Sequence, residues 1–445
     1  MAAILLLLLS IISTAVAQQR NSNISLGSSL TPTGQSTWLS PSGLYAFGFY
    51  QQAKGYAVGI FLAGVPQKTV VWTANRDDPP VPSTASLLLT NDGRLIIRSP
   101  QGRDVDITVS SENVVTASML DTGNFVLYNS DQDIIWQSFE HPTTAILQGQ
   151  RLLAGKELFS SVSETDQSTG IFRLKMQNDG NLVQYPVETP DTAEYAYFAV
   201  NRGDSGDNVS LNLDNDGHLY LLNSTGFNIR DLTRGGYDTN ETIYLMKIDS
   251  DGIFRLYYYR LNQNGNQSII WSSTSDKCDP MGLCGLNSYC VNEDREADCR
   301  CLPGFAPVIE GNFSAGCERD FSSESCKSDD ERIQYTIQAV ENTEWEDTGY
   351  SVLSFTTKDA CETACFDDCT CEAAMFKDGK CKKQKLPLRF GRRDVGDSNV
   401  ALIKVGISAS NESRKHDVPT DGKEKDGIHI LITGLSLIGF AIIVC

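Results

Sequence analysis

One turn recurs across residues 91–252 and narrows the folds open to this chain more than any other feature. Asn91-Asp92-Gly93, Asp121-Thr122-Gly123, Asn178-Asp179-Gly180, Asn215-Asp216-Gly217 and Ser250-Asp251-Gly252 each precede a short apolar run. Glycine accepts positive φ without steric cost and Asn or Asp tolerates it, so such sequences close tight hairpins. The runs, among them Leu95-Ile96-Ile97, Phe125-Val126-Leu127-Tyr128 and Leu182-Val183-Gln184-Tyr185, have strand character, and no long helical pattern interrupts them. Most neighbouring turns lie roughly thirty to forty residues apart, which predicts small sheets that must stack on one another. A second element recurs as Val70-Val71-Trp72, Ile134-Ile135-Trp136 and Ile269-Ile270-Trp271. The last two, each closely followed by Ser, read as the closing strands of two tandem copies, with the seam near residue 150. The expected class is mostly β.

The two ends of the chain point to a membrane. Residues 1–17 are almost unbroken apolar sequence around Leu5 to Leu9, closing on Ala15-Val16-Ala17 before Gln18-Gln19-Arg20. A short apolar core followed by small residues at −3 and −1 is the form of a secretory signal peptide. Residues 427–445 carry no charge except on His429. As a helix they would rise about 28 Å, close to the ~30 Å hydrocarbon core. The sequence stops at Cys445 without the Lys/Arg cluster that marks a cytoplasmic flank. The expectation is a type I plasma-membrane chain with residues 18–426 outside and one helix in the bilayer. It would end within its own span, cut from a longer protein or truncated in its coding sequence.

Compartment is also written in the cysteines. Of thirteen, none precedes Cys278, twelve lie between Cys278 and Cys381, and the last is Cys445. An even number behind a signal peptide reads as a disulfide framework, and an oxidising compartment pairs Cys299-x-Cys301 or Cys361-x3-Cys365 rather than leaving them to zinc. No metal or other cofactor is expected. Seven glycosylation sequons, at Asn23, Asn208, Asn223, Asn240, Asn266, Asn312 and Asn411, fit the same compartment. The net charge of −19 argues against nucleic acid or anionic lipid as a partner, because both need a basic face.

Three segments carry a family resemblance. Ser40-Pro41-Ser42-Gly43-Leu44-Tyr45-Ala46-Phe47-Gly48-Phe49, Thr69-Val70-Val71-Trp72-Thr73-Ala74-Asn75-Arg76-Asp77 and Trp136-Gln137-Ser138-Phe139-Glu140-His141-Pro142-Thr143 resemble the bulb-type lectin domain of plant G-type lectin S-receptor-like serine/threonine-protein kinases. The resemblance implies a β-prism of three small sheets, twice over: residues 18–150 and 151–275. It also implies a mannose-type site along Gln-x-Asp-x-Asn-x-Val-x-Tyr, and the third turn keeps all five positions as Gln177, Asp179, Asn181, Val183 and Tyr185. Residues two apart on a strand share a face, so the polar side chains can bridge sugar hydroxyls while Val183 packs on the ring's apolar edge. The other turns depart from the pattern. They offer Thr90, Asp92, Arg94, Ile96 and Arg98; Leu120, Thr122, Asn124, Val126 and Tyr128; Asp214, Asp216, His218, Tyr220 and Leu222; and Asp249, Asp251, Ile253, Arg255 and Tyr257. Alternation of this kind is what any half-buried hairpin shows. A single shallow site would bind weakly, so avidity would call for a homo- or hetero-oligomeric receptor or clustered glycans.

Behind the lectin copies, Cys278, Cys284, Cys290, Cys299, Cys301 and Cys317 have the spacing of an EGF-like module over residues 276–318. Spacing alone leaves fifteen pairings open; the EGF resemblance implies Cys278–Cys290, Cys284–Cys299 and Cys301–Cys317. Ser273-Thr274-Ser275-Asp276-Lys277 lacks the acidic ligands of a calcium-binding EGF module. Cys326, Cys361, Cys365, Cys369, Cys371 and Cys381 follow within residues 319–406. Cys361 and Cys365 share one helical face, and Asp368-Cys369-Thr370-Cys371-Glu372-Ala373-Ala374 reads as a strand. This resembles a PAN/apple module, and residues 407–426 read as a solvated stalk.

Enzyme readings fall away. Gly203-Asp204-Ser205-Gly206 looks like a protease serine loop, but His141, His218, His416 and His429 are the only histidines and none has the surroundings of a base. Kinase signatures are absent from the sequence. The resemblance therefore implies a ligand-sensing ectodomain that binds carbohydrate or a glycoprotein, with a kinase expected only in full-length relatives. The alternatives are a kinase-less receptor-like protein or decoy that works by protein–protein contact, and a mannose-binding agglutinin.

Overall fold

The computed structural model describes residues 23–408 except 67, 109–112, 201–205, 262–266, 322–332, 347 and 355–356. The expected signal peptide and membrane span, Cys326, Asn266, Asn411, Ser205, His416 and His429 lie outside the described residues. Among the described residues no helix is long and apolar enough to cross a membrane.

Three short strands come first: β1 (Asn23–Ser25), β2 (Ser29–Leu30) and β3 (Thr37–Leu39). Three meanders follow: β4 (Tyr45–Gln52), β5 (Gly55–Leu62) and β6 (Val70–Thr73); β7 (Ser86–Leu89), β8 (Leu95–Arg98) and β9 (Asp104–Asp106); β10 (Thr116–Met119), β11 (Phe125–Tyr128) and β12 (Ile134–Gln137). The short strands join them in nested order, β3 to β4, β2 to β7 and β1 to β10, giving three four-stranded antiparallel sheets. This is a β-prism.

The pattern then repeats. The leading strands are β13 (Ala145–Leu147), β14 (Arg151–Leu152) and β15 (Glu157–Ser161). The meanders are β16 (Thr169–Met176), β17 (Leu182–Pro186) and β18 (Phe198–Ala199); β19 (Ser210–Leu213), β20 (Leu219–Leu222) and β21 (Asn228–Asp231); β22 (Thr242–Ile248), β23 (Phe254–Arg260) and β24 (Gln267–Ser272). Again β15 joins β16, β14 joins β19 and β13 joins β22. Pairing of Ala145–Leu147 with Leu245–Lys247 places the changeover between Gln137 and Ala145, ahead of residue 150.

Strand alternation builds the cores. In the first prism Phe47 and Phe125, from different sheets, stack at 3.9 Å beside Trp38. In the second, Leu174, Met176, Leu182, Leu213, Leu219 and Phe254 meet around Phe172. Strands β22 and β23 serve both: Ile243, Leu245, Tyr257 and Tyr259 enter the first core, while Tyr244, Met246, Ile248, Phe254 and Leu256 enter the second. Burial on both faces is why this stretch reads as a nearly continuous apolar run.

The C-terminal third starts with the hairpin β25 (Ser288–Glu293) and β26 (Glu296–Cys301), then β27 (Phe305–Pro307) and β28 (Cys317–Arg319). Cys278–Cys290, Cys284–Cys299 and Cys301–Cys317 are disulfides. Next come β29 (Ile333–Glu341), β30 (Thr343–Glu344), β31 (Ser351–Ser354), helix α1 (Lys358–Phe366), β32 (Ala373–Lys377), β33 (Lys380–Gln384), β34 (Gly391–Arg393) and β35 (Val400–Ser408). Thr357 caps α1 through its hydroxyl, and the buried Cys361 and Cys365 are cross-linked to Cys381 and Cys371; Cys369 is disulfide-bonded as well. Two expectations need correcting. Asp368–Glu372 is a turn, with the Asp368 carboxylate accepting the Thr370 N–H, and the strand starts at Ala373. Pairing of Ile407 and Ser408 with β29 carries β35 into the expected stalk. Strand β34 also pairs in parallel with β25, so the EGF-like hairpin and the segment behind it share one sheet.

Candidate carbohydrate-binding site

The retained motif spans the turn between β16 and β17. The Asp179 carboxylate accepts the Asn181 N–H at 3.0 Å, and Gly180 takes φ +82°. Register places Val183 opposite Lys175 and Tyr185 opposite Arg173, so the motif shares the outer sheet face with two cations. The Gln177 amide donates to the Tyr185 hydroxyl at 2.9 Å, and the Arg173 guanidinium lies over the Tyr185 ring at 4.9 Å. Burial pushes the Tyr185 phenol above its ordinary value.

A strap following β17 brings Thr189 and Asp191 back onto this face. Arg173 donates to the Thr189 carbonyl at 2.7 Å and pairs with Glu157 and Asp191, each at 2.8 Å. Lys175 reaches Asp191 at 2.8 Å and Glu157 at 3.3 Å. Burial raises the Asp191 carboxyl, but hydrogen bonds from Lys175 and Arg173 outweigh it and hold the group below the usual carboxylate range. The same contact with Asp191 raises the Lys175 ammonium. The outcome for the five motif residues is uneven. Val183 and Tyr185 are only 1% and 2% exposed and form a floor; Gln177 and Asn181 are half-buried, and Asp179 is exposed.

At the other four turns the same positions are occupied by internal partners. Arg94 pairs with Asp106 and Arg98 with Asp104. Asn124 accepts from the Ser138 hydroxyl and the Phe139 N–H. His218 stacks on Tyr220 at 4.3 Å and meets Asp231 at 2.7 Å. Arg255, almost fully buried, bridges Asp249 and Asp251, and the Tyr257 hydroxyl donates to Asp249 at 2.6 Å.

Two family-like segments turn out to join the prisms. Arg76 donates to four carbonyls of the second prism: Phe159, Ser160, Gln167 and Ser168. Asp77 accepts from the Thr169 N–H and hydroxyl, and the Trp72 indole N–H reaches the His141 carbonyl at 2.6 Å. His141 in turn stacks on Trp136 at 5.3 Å, and burial lowers its pKa. These residues are structural. Of the sequons, Asn23, Asn208, Asn240 and Asn312 are exposed, and the half-buried Asn223 accepts the N–H groups of Thr225 and Phe227. Sequence reading missed Glu157, Arg173, Lys175 and Asp191, whose meeting depends on cross-strand register and a returning strap.

The D-mannose binding lectin family matches residues 69–162, and the S-locus glycoprotein domain family matches residues 230–309. A G-type lectin S-receptor-like serine/threonine-protein kinase of Oryza sativa subsp. indica is 32% identical over 99% of this chain and 57% of its own length. The chain is a homologue of the G-type lectin S-receptor-like kinases. An Arabidopsis thaliana member is 28% identical over 94% of this chain and 54% of its own length. The chain thus spans about half the length of these curated relatives. A solved monomeric monocot mannose-binding lectin from Gastrodia elata aligns with 30% of this chain and 97% of its own, at 23% identity and a TM-score of 0.23.

Proposed function

We propose that this G-type lectin receptor homologue is the extracellular recognition portion of a plasma-membrane receptor and binds a glycan on the outer face of the β15–β18 sheet. The observation that carries this is the motif itself: Gln177, Asp179, Asn181, Val183 and Tyr185 share one segment and one sheet face, with Asp179 exposed and Gln177 and Asn181 half-buried. Asp179, Asn181 and Gln177 supply donors and acceptors for vicinal hydroxyls, and Val183 and Tyr185 supply the floor. The serine/threonine kinase activity named for the relatives is proposed only for a longer form. Retention of the intact chain on mannose resin, eluted by free sugar and lost in Asn181→Ala, tests the assignment; an intact chain that neither is retained there nor binds an acidic glycan overturns it.

A second reading is recognition by protein contact through the disulfide-bonded modules. The closure of the motif face, with Tyr185 2% exposed beneath Arg173 and the strap, favours it. A chain that ignores every glycan yet engages a protein partner would establish this reading in place of the first.

A further inference from the structure

The charge set on the motif face narrows the ligand class. Two cations, Arg173 and Lys175, stand in register with Tyr185 and Val183, next to the polar positions of the motif. A neutral sugar needs neither. Two carboxylates answer them, and the two differ in origin. Glu157 belongs to strand β15, whereas Asp191 comes from the strap and has the more exposed side chain, 36% against 23%. Asp191 also holds the geometry of a bound ligand group, one carboxylate oxygen on the Arg173 guanidinium and the other on the Lys175 ammonium, each at 2.8 Å.

Resting on the carbohydrate reading above, we propose that the site takes an acidic saccharide, a glycan bearing a hexuronate carboxylate, and that Asp191 is its internal stand-in. The carboxylate of the ligand replaces that of Asp191 between Arg173 and Lys175, and the strap moves off the face as it does so. With Asp191 in place the four charges cancel; with it displaced, Arg173 and Lys175 outnumber Glu157 by one. On a chain of net charge −19 an anion is therefore held by this local pair and not by the overall field. A tethered competitor acts at high effective concentration, so the unmodified chain binds the acid weakly and removal of Asp191 strengthens it. Arg173 stays put during the exchange, because its bonds to the Pro186 carbonyl of β17 and to Glu157 of β15 do not involve the strap. Both cations exchange Asp191 for the ligand carboxylate, and Lys175 keeps only Glu157 meanwhile.

The test is calorimetric titration of the full chain in detergent with trigalacturonate, its neutral methyl ester and mannotriose. Asp191→Ala is expected to tighten trigalacturonate at least tenfold while leaving the ester and mannotriose within twofold, and Lys175→Gln added to it is expected to erase that gain. Asp191→Asn keeps the side-chain shape, removes the charge and must show the same preference, which covers a folding failure of the alanine variant. An unchanged acid-to-ester ratio in both Asp191 variants overturns the proposal, as does a gain that survives Lys175→Gln. Binding of mannotriose without any preference for the acid overturns this inference alone, whereas no binding of any of the three overturns the carbohydrate reading with it.

Discussion

Residues 23–272 contain no cysteine and hold together through side chains buried between sheets and on both faces of β22 and β23, whereas residues 278–408 gather smaller apolar clusters and are cross-linked at five described disulfides. Each part offsets chain entropy in its own way. A prism can do so because three sheets enclose one core, and each fully buried Leu or Phe contributes about 1.5–3 kcal/mol. The EGF-like segment has too few such side chains, so covalent links that restrict the unfolded chain supply what the core does not. The difference also shows in what each part is free to vary. With inner faces fixed by packing, the outer faces of the prisms carry different sets of contacts: ion pairs, a stacked His218–Tyr220, and the Gln177–Tyr185 segment proposed above to bind sugar.

The strongest way to break this comparison is reduction. Native disulfides are worth about 2–5 kcal/mol each, so a thiol reductant should abolish hydrogen-exchange protection in residues 278–408 while strands β4–β6 and β22–β23 keep theirs. Simultaneous loss in both parts would show that the prisms depend on the modules behind them. Arg76→Ala comes next. It strips a charged donor from four carbonyls at once and should cost about 3–5 kcal/mol, read as a lower melting temperature with the disulfides intact. Arg76→Lys should recover little, because an ammonium lacks the planar fork that spans them. Glycine substitutions should separate packing from conformation. Gly252 and Gly226 both take φ +81°, but a Cβ at Gly252 would meet the Phe172 ring at 2.8 Å, whereas at Gly226 it meets nothing within 4 Å. Gly252→Ala should therefore cost about 2–4 kcal/mol and Gly226→Ala about 1 kcal/mol by urea denaturation. The smallest effect is that of acid on the strap. Asp191 is held below its ordinary value of 3.8, so its ion pairs stabilise fully above that pH and are lost as pH falls below it. The contribution is under about 1 kcal/mol for so exposed a group, and faster exchange of residues 187–193 at low pH, with β16 and β17 unchanged, would report it.

Much of the fold is legible because it is local. Each Asx-Gly turn closes a hairpin between neighbouring strands, and the glycine carries a positive φ that its neighbours could not hold cheaply. Other parts are not local. The hairpin joining β4 and β5 turns through Ala53, at φ +46°, and offers no Asx-Gly signal. The nested pairing of β1 with β10 brings together residues such as Asn23 and Ser118, for which no periodicity speaks. The site divides the same way. Gln177 to Tyr185 is one continuous segment and can be read off the sequence, while Arg173, Lys175, Glu157 and Asp191 converge only through register and the returning strap. Arg76 sits in a recognisable segment, yet only the packed prisms show that it caps a neighbour's carbonyls.

The glycan assignment is tested most directly by hydrogen exchange on the full chain with and without saturating mannotriose. Slower exchange across residues 177–185, with residues 249–257 unchanged because Arg255 already fills that turn, is the predicted result. Exchange that does not change across 177–185, or protection that appears at 249–257 instead, would contradict it.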